Sequence, residues 1–405
     1  MTDATAPATP RPPGTPGEVF RVFLRLGVTS FGGPIAHLGY FRDELVTRRR
    51  WVDDTGYADL VALCQFLPGP ASSQVGFALG LLRAGPRGAL AAWLAFTLPS
   101  ALLMVAFAFS ASLFEGAVGA GILEGLKVVA VAIVAQAVWG MARSLTPDAR
   151  RASIAVVAAV IVLFAAGSLG QVAAIVVGAL AGVWLCRSAI DTDAAPLPLR
   201  VSRRAGAIAL GVLAVALIGL PIAAASLSSP ALDVADAFAR AGALVFGGGH
   251  VVLPLLEAEV VTGGWVSADE FLAGYGAAQA MPGPLFTFAA YLGALAAPGA
   301  AGLGLAAVAL VAIFLPGLLL LVGVIPFWNG LRARPAARAL QRGANAAVVG
   351  ILAAALYDPV FTTAVTGAGT FALALVCFVL LVSWRAPAWV VVLVGAAGGI
   401  LLAVI

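Results

Sequence analysis

The chain carries the same helix-breaking pattern twice, once in each half. Phe-x-Arg-x-Gly-x-x-x-Phe-Gly-Gly occupies residues 23–33 and recurs at 238–248. A Pro-Gly-Pro triplet follows each copy, at 68–70 and 282–284. Chance does not keep this register over so long a stretch, so the sequence predicts a tandem duplication. Both copies place glycine and proline inside apolar sequence, where they interrupt any helix that forms.

Composition restricts the environment in which such a chain can fold. Of its 405 residues, 62% are hydrophobic and only 10% are charged, whereas a soluble domain carries about 25% charged residues. Apolar stretches of about 20 residues, the length that crosses the hydrocarbon core of a bilayer, recur from about residue 88 onward. The sequence therefore predicts an all-α integral membrane protein with ten or more spanning segments.

The arginines predict how the chain threads the bilayer, because cytoplasmic loops are enriched in Lys and Arg. Arg42 and Arg48 place the first amphipathic segment inside, whereas the matching segment of the second half has Glu257 and Glu259 and no basic residue. Conversely, the uncharged outer loop of the first half is matched in the second half by Arg332, Arg334, Arg338 and Arg342. The repeats are therefore predicted to be inverted in the inner membrane, with a cytoplasmic N-terminus and a periplasmic or extracellular C-terminus.

One extra span between the repeats is predicted to place the start of the second repeat on the opposite side of the membrane from the start of the first. Residues 1–17, rich in Pro, Thr and Ala, are predicted to form a disordered tail. The first repeat then covers 18–187, a linker with one extra spanning helix covers 188–230, and the second repeat covers 231–405.

Broken helices at matching positions of inverted repeats predict a secondary transporter with its substrate site at the repeat interface. The segments around 68–70 and 282–284 should each split into two half-helices. Each break leaves backbone N–H groups without acceptors, and with the helix dipole these form an anion-binding end. Ser72, Ser73 and Thr287 add hydroxyl donors. Two such ends facing each other suit a small, tetrahedral, multiply charged oxyanion.

The candidate anion-binding residues are the members of the two breaks and their flanking arginines and hydroxyls. They are Arg25, Phe31, Gly32, Gly33, Pro34, Pro68, Gly69, Pro70, Ser72, Ser73, Arg240, Phe246, Gly247, Gly248, Pro282, Gly283, Pro284 and Thr287. Arg240 is the more informative arginine, because positive-inside bias does not explain a basic residue near the outer start of the second repeat. The alternative is an ion pair with Asp236, one turn earlier.

A second group of residues is predicted with less specificity to couple transport or to make secondary contacts. Its members are His37, Glu44, Lys127, His250, Glu257, Glu259 and Asn345. A carboxylate could carry coupling protons or simply lie on a solvated face, and Lys127 could equally pair with Glu124, three residues before it. A histidine titrates near neutral pH, but a lone one beside a Pro/Gly turn is more often structural.

No residue pattern points to a cofactor, a metal or an enzymatic centre. Cys64, Cys186 and Cys377 are isolated in apolar sequence and are interpreted as packing residues. The apolar segments contain few Asp, Glu and His, which argues against a membrane enzyme acting on a lipid-linked phosphate. Such an enzyme, and an oxyanion channel or uniporter on the same scaffold, are the alternatives to a transporter.

The quoted motifs resemble the chromate ion transporter family in its two-domain, long-chain form. The resemblance covers about residues 18–404 and rests on the paired Phe-Gly-Gly and Pro-Gly-Pro motifs together with Trp51, Pro254 and Phe314-Leu315-Pro316. It implies an inner-membrane protein that exports chromate, is driven by the proton gradient and confers chromate resistance. Sulfate shares the shape and charge of chromate, so sulfate recognition is also implied. The expected partners are an oxyanion and the lipid bilayer, not nucleic acid; a homodimer is left open.

Overall fold

The computed structural model describes residues 14–110, 116–165, 167–187, 199 and 201–404, and every regular element within them is helical. Most of the predicted tail, residues 1–13, lies outside the described residues. The first helix begins at Pro16, where Thr15 accepts a hydrogen bond from the backbone of Glu18 and so caps it. An all-α chain is thus confirmed for the described residues.

The helices before the linker form the first repeat. They are α1 Pro16–Thr29, α2 Gly33–Phe41 with a π-helical extension Arg42–Arg48, α3 Asp54–Phe66, α4 Ala71–Ala108, α5 Gly116–Leu145, α6 Ala149–Phe164 and α7 Ser168–Leu185. A separate helix, α8, follows at Arg203–Ser226.

The helices after the linker form the second repeat. They are α9 Pro230–Leu244, α10 Val252–Val260, α11 Ala268–Ala278, α12 Phe288–Leu295, α13 Gly299–Val324, α14 Trp328–Arg332, α15 Pro335–Ala355, α16 Thr362–Ala364, α17 Ala368–Val382 and α18 Ala388–Val404.

The helix order shows the duplication directly. Helices α1, α2 and α3 correspond to α9, α10 and α11, and each pair ends or begins at a matching break. Helix α4 matches α12 and α13 together, because its backbone leaves the helical region at Ala84 and Gly85. Gly80 and Gly88 face each other across that turn, so α4 is a hairpin of two helices. Helices α5, α6 and α7 correspond to α15, α17 and α18. The predicted tandem repeat is confirmed.

Within the part of the chain that the structure describes, six helical segments are long and apolar enough to cross a bilayer. They are Ala71–Ala108, Gly116–Leu145, Ser168–Leu185, Arg203–Ser226, Gly299–Arg332 and Pro335–Ala364. Three shorter apolar helices, Leu285–Leu295, Ala368–Val382 and Ala388–Val404, accompany them. The chain is therefore a multi-pass membrane protein, and a total of ten or more crossings stays a prediction.

The two repeats exchange helices. Helix α15 of the second repeat packs on α6 and α7 of the first, and α5 of the first packs on α17 and α18 of the second. Glycines permit the close approach: Gly343 lies against Gly182, and at the equivalent crossing Gly125 lies against Gly395. Each repeat therefore completes its packing with helices of the other repeat.

Helix α8 has no counterpart in either repeat. It packs along α9 and α13, with Gly206 against Gly323, and most of its surface is exposed. This helix lies in the stretch where the sequence predicts the extra span.

The glycine crossings predict a position-dependent response to alanine within one helix. A Cβ on Gly125 would collide with the carbonyl oxygen of Gly395, whereas Gly140 on the same α5 has open space around it. Gly125→Ala should destabilise the protein by about 1–3 kcal/mol through overpacking. Gly140→Ala should be neutral or stabilising by up to about 1 kcal/mol. Thermal unfolding in detergent measures both, and equal melting temperatures would contradict the crossing.

Candidate functional site

The Phe-Gly-Gly motifs end one helix and start another in both repeats. Helix α1 stops at Thr29, and Gly32 and Gly33, at the start of α2, take φ values of +100° and +77°. In the second repeat Gly247 and Gly248 take φ values of +74° and +146° after α9. Residues with a side chain rarely adopt these backbone conformations, so glycine is required at the breaks. Phe31 and Phe246, which precede the glycines, are partly buried.

The Pro-Gly-Pro motifs interrupt the next helical segment as predicted. Gly69 has φ +118° between α3 and α4, and Gly283 has φ +93° between α11 and α12. Each triplet is thus a turn between two half-helices. The flanking prolines, Pro68, Pro70, Pro282 and Pro284, cannot donate backbone hydrogen bonds and hold the chain out of the helix.

Backbone hydrogen bonds join each Pro-Gly-Pro turn to the Phe-Gly-Gly break of the opposite repeat. The N–H of Gly69 donates to the carbonyl of Val245 at 2.7 Å, and the N–H of Gly283 donates to the carbonyl of Ser30 at 2.9 Å. Val245 and Ser30 occupy equivalent positions, directly before Phe-Gly-Gly. The two bonds are therefore one contact repeated by the internal symmetry, and they join the four breaks in two pairs.

Two further contacts tighten this meeting point. Gly249 lies against Pro34, its equivalent in the first repeat, with 3.2 Å between a Cβ built on Gly249 and the Pro34 Cγ. The side-chain amide of Gln74 donates to the Pro68 carbonyl at 3.0 Å and to the Gly317 carbonyl at 2.9 Å. It fastens the first turn to α13. Sequence reasoning missed Gln74, although an amide one turn after a Pro-Gly-Pro motif in apolar sequence is a usable signal.

The half-helix that follows the first Pro-Gly-Pro turn begins with polar groups. As α4 starts at Ala71, the N–H groups of its first turn have no acceptor within the helix. The Ser73 hydroxyl is buried, with no partner among the described residues. The imidazole Nδ1 of His37 lies 3.3 Å from the Ser72 Oγ, and its other ring nitrogen has no partner there either.

The equivalent half-helix of the second repeat is organised differently. It starts with a 3₁₀ turn, Leu285–Thr287, in which both the N–H and the hydroxyl of Thr287 donate to the Pro284 carbonyl at 3.1 and 2.9 Å. His250 lies with its Nδ1 2.8 Å from the hydroxyl of Tyr275 on α11. The Thr287 hydroxyl, a candidate donor to substrate, is thus bonded to its own turn.

The two candidate arginines lie in different surroundings. Arg25 is exposed on α1. Arg240 pairs with Asp236 at 2.9 Å and with Glu259 of α10 at 3.0 Å. The Asp236 pair is the alternative that the sequence raised for Arg240, and Glu259 joins it. The anion-binding role of either arginine stays a prediction.

Among the secondary candidates, only the two histidines and Asn345 lie beside the breaks. The Asn345 side-chain oxygen is 3.7 Å from a Cβ built on Gly247 and has no partner among the described residues.

The other secondary candidates lie elsewhere, and most of them form ion pairs. Glu44 pairs with Arg49 at 2.7 Å. The ammonium of Lys127 pairs with Asp269 at 2.8 Å as well as with Glu124. Glu257 lies partly buried on α10, with Asp358 as a charged neighbour.

Two cavities of opposite charge lie at equivalent positions of the repeats. The first, about 340 Å³, is called the arginine cavity, and it is lined by Asp59, Gln65, Trp328, Arg332, Arg338, Gln341 and Arg342 among others. The second, about 370 Å³, is called the carboxylate cavity, and it is lined by Phe107, Glu124, Lys127, Asp269, Glu270 and Tyr291 among others. Arg342 and Glu124 are equivalent residues, so the repeat symmetry relates the cavities while their charge is reversed.

Comparison with known proteins identifies the family. The family model described as chromate transporter matches residues 17–183 and 232–400, which are the two repeats without α8. The chain belongs to the chromate transporter family. The resemblance noted from the sequence is thereby confirmed. No solved structure matches this chromate transporter family member.

Curated relatives of this family member span nearly the same length. The chromate transport protein of Pseudomonas aeruginosa is 30% identical, over 98% of this chain and 94% of that protein. The chromate transport protein of Cupriavidus metallidurans is 29% identical, over 94% of this chain and 91% of that protein. The probable chromate transport protein of Synechococcus elongatus is 29% identical, over 84% of this chain and 83% of that protein.

The contrast between the two arginines predicts unequal effects on stability. Arg240→Met should cost about 1–3 kcal/mol, because it leaves the buried Asp236 carboxylate and the partly buried Glu259 carboxylate without their cation. Arg25→Met, at the equivalent exposed position, should change stability by less than about 0.5 kcal/mol. Thermal unfolding of the detergent-purified variants measures the difference. An equal loss in both would show that the ion pairs do not stabilise α9.

Proposed function

We propose that this chain is a secondary active transporter that exports chromate across the inner membrane and thereby confers chromate resistance. The reciprocal pair of hydrogen bonds, Gly69 to Val245 and Gly283 to Ser30, carries the proposal. Interrupted helices that meet at the interface of two repeats form the substrate site in many transporter folds. The family membership supports chromate as the substrate.

The chemistry at the breaks suits a dianion. Backbone N–H groups at the start of a half-helix bind anions without carrying a charge that must be buried. The Ser73 hydroxyl extends this set of donors in the first repeat. Sulfate has the same tetrahedral shape and double charge as chromate, so we expect it to compete for the site.

The two cavities support the direction of transport. The positive-inside bias places the loop with Arg332, Arg338 and Arg342 in the cytoplasm. The arginine cavity then opens to the side from which an exported dianion arrives, where it raises the local concentration of the anion. The carboxylate cavity opens to the opposite side and disfavours rebinding. This orientation keeps the N-terminus cytoplasmic and the C-terminus outside.

Coupling to the proton gradient completes the proposal. Carboxylates supply groups that bind and release protons, and Glu257 and Glu259 are a partly buried pair on α10, the helix that follows the second Phe-Gly-Gly break. Transport against a chromate gradient requires such a driving force, which a channel or uniporter would lack.

Uptake of radiolabelled chromate into inverted membrane vesicles tests the proposed function. An imposed proton gradient should drive saturable accumulation of chromate, and an excess of sulfate should reduce it. A protonophore should abolish the accumulation, and vesicles without the protein serve as the control. Non-saturating flux that is indifferent to the protonophore would instead identify an oxyanion channel.

The charge of the arginine cavity predicts a salt-dependent change in apparent affinity. Arg338→Ala should raise the KM for chromate on the cytoplasmic side by about twofold to fivefold at low salt, because one cation is removed near a dianion. Arg203→Ala removes an exposed arginine at the start of α8, outside the cavity, and should leave the KM for chromate unchanged. Initial rates in inverted vesicles give both values. Equal KM changes in the two variants would refute a role for the cavity.

A further inference from the structure

Equivalent positions around the two Pro-Gly-Pro turns differ in chemistry. Ser72 and Thr97 of the first repeat correspond to Phe286 and Phe314 of the second. His37 likewise corresponds to Val252. The backbone at the breaks is duplicated, but the polar side chains that surround the first half-helix are replaced by apolar ones in the second.

In the second repeat these positions are filled by aromatic packing. The rings of Phe286 and Phe314 lie with their centroids 5.6 Å apart, and both residues are buried. The 3₁₀ turn beside them already uses the N–H and the hydroxyl of Thr287 on the Pro284 carbonyl. Some of the donors of the second half-helix are therefore already hydrogen-bonded within its own turn. They are not free to bind an anion.

In the first repeat the matching positions present unused donors. The hydroxyls of Ser30 and Ser73 are 0% and 2% exposed and have no partner among the described residues. Buried hydroxyls are normally hydrogen-bonded, so a group that satisfies them is expected. The N–H groups at the start of α4 are also without acceptors in the helix.

His37 supplies a further donor at the same turn. Its side chain is 1% exposed and contacts the Ser72 hydroxyl of α4 through Nδ1. When that hydroxyl donates to Nδ1, the proton of the neutral ring resides on Nε2, which makes no hydrogen bond of ordinary geometry within the described chain, although the Ser30 backbone is a polar neighbour of the ring. The neutral imidazole then offers an N–H, as the serines offer O–H groups, without adding charge.

We propose that the chain binds one oxyanion, at the first turn of α4 in the first repeat, and that the equivalent turn of the second repeat is a closed scaffold. The donors to the anion are the α4 N–H groups, the Ser73 hydroxyl and the His37 Nε2–H. This inference rests on the proposed function, since it takes chromate or sulfate as the ligand. It removes Thr287 from the set of binding residues.

Equilibrium binding of radiolabelled chromate to the full-length protein in lipid nanodiscs tests the proposal. The wild type should bind one chromate per chain. Ser73→Ala should weaken binding by about 10- to 100-fold, the loss of one hydrogen bond to a charged group. Thr287→Ala, the same change at the equivalent position, should stay within about twofold of the wild type. Ser73→Thr, which keeps the hydroxyl, should retain most of the affinity.

The outcomes separate this inference from the function on which it rests. A wild-type protein that binds neither chromate nor sulfate would overturn both. Two chromates per chain, or equal losses in Ser73→Ala and Thr287→Ala, would overturn the one-sided site while leaving a chromate transporter. The stoichiometry of the wild type decides the matter even if Ser73→Ala fails to fold, which gel filtration would reveal.

Discussion

Two backbone hydrogen bonds hold the centre of this protein together. The Gly69 N–H reaches the Val245 carbonyl, and the Gly283 N–H reaches the Ser30 carbonyl. Backbone groups freed by a helix break in an apolar protein must find partners inside it, because lipid offers none. Here each repeat supplies the donor for one bond and the acceptor for the other. Each Pro-Gly-Pro break therefore depends on the opposite repeat for a backbone partner, and the proposed substrate site lies at the interface of the two repeats as a consequence.

The exchange of helices extends the same dependence to the periphery. Helices α5 and α15 each complete their packing on the last two long helices of the opposite repeat, and glycines such as Gly125 and Gly343 set the spacing. Backbone symmetry is kept throughout, whereas side-chain chemistry is not. Arg342 of the second repeat is equivalent to Glu124 of the first, and Phe286 of the second is equivalent to Ser72 of the first. A symmetric frame with asymmetric side chains lets one architecture present different surfaces to the two sides of a membrane.

Sequence reasoning predicts the breaks well, because glycine and proline act through local backbone geometry at positions such as Gly32 and Gly69. It also locates α8 and the duplicated helices from apolar length. It does not reveal which break bonds to which, since the acceptors are carbonyls of Ser30 and Val245, and every residue has a carbonyl. It distinguishes Arg240 from Arg25 by the positive-inside bias and by Asp236 one turn earlier, but it does not reveal that Glu259 also pairs with Arg240, because only tertiary packing brings that carboxylate there.

The most direct measurement of the central claim is intramolecular cross-linking across the symmetry axis. Cysteines would be placed at Pro34 and Gly249 after the native Cys64, Cys186 and Cys377 are replaced by alanine. After oxidation, cleavage at a protease site inserted in the linker should leave the two halves joined on a non-reducing gel, as the contact requires. Halves that separate fully, although each cysteine alone reacts with a thiol reagent, would show that the breaks of the two repeats do not meet.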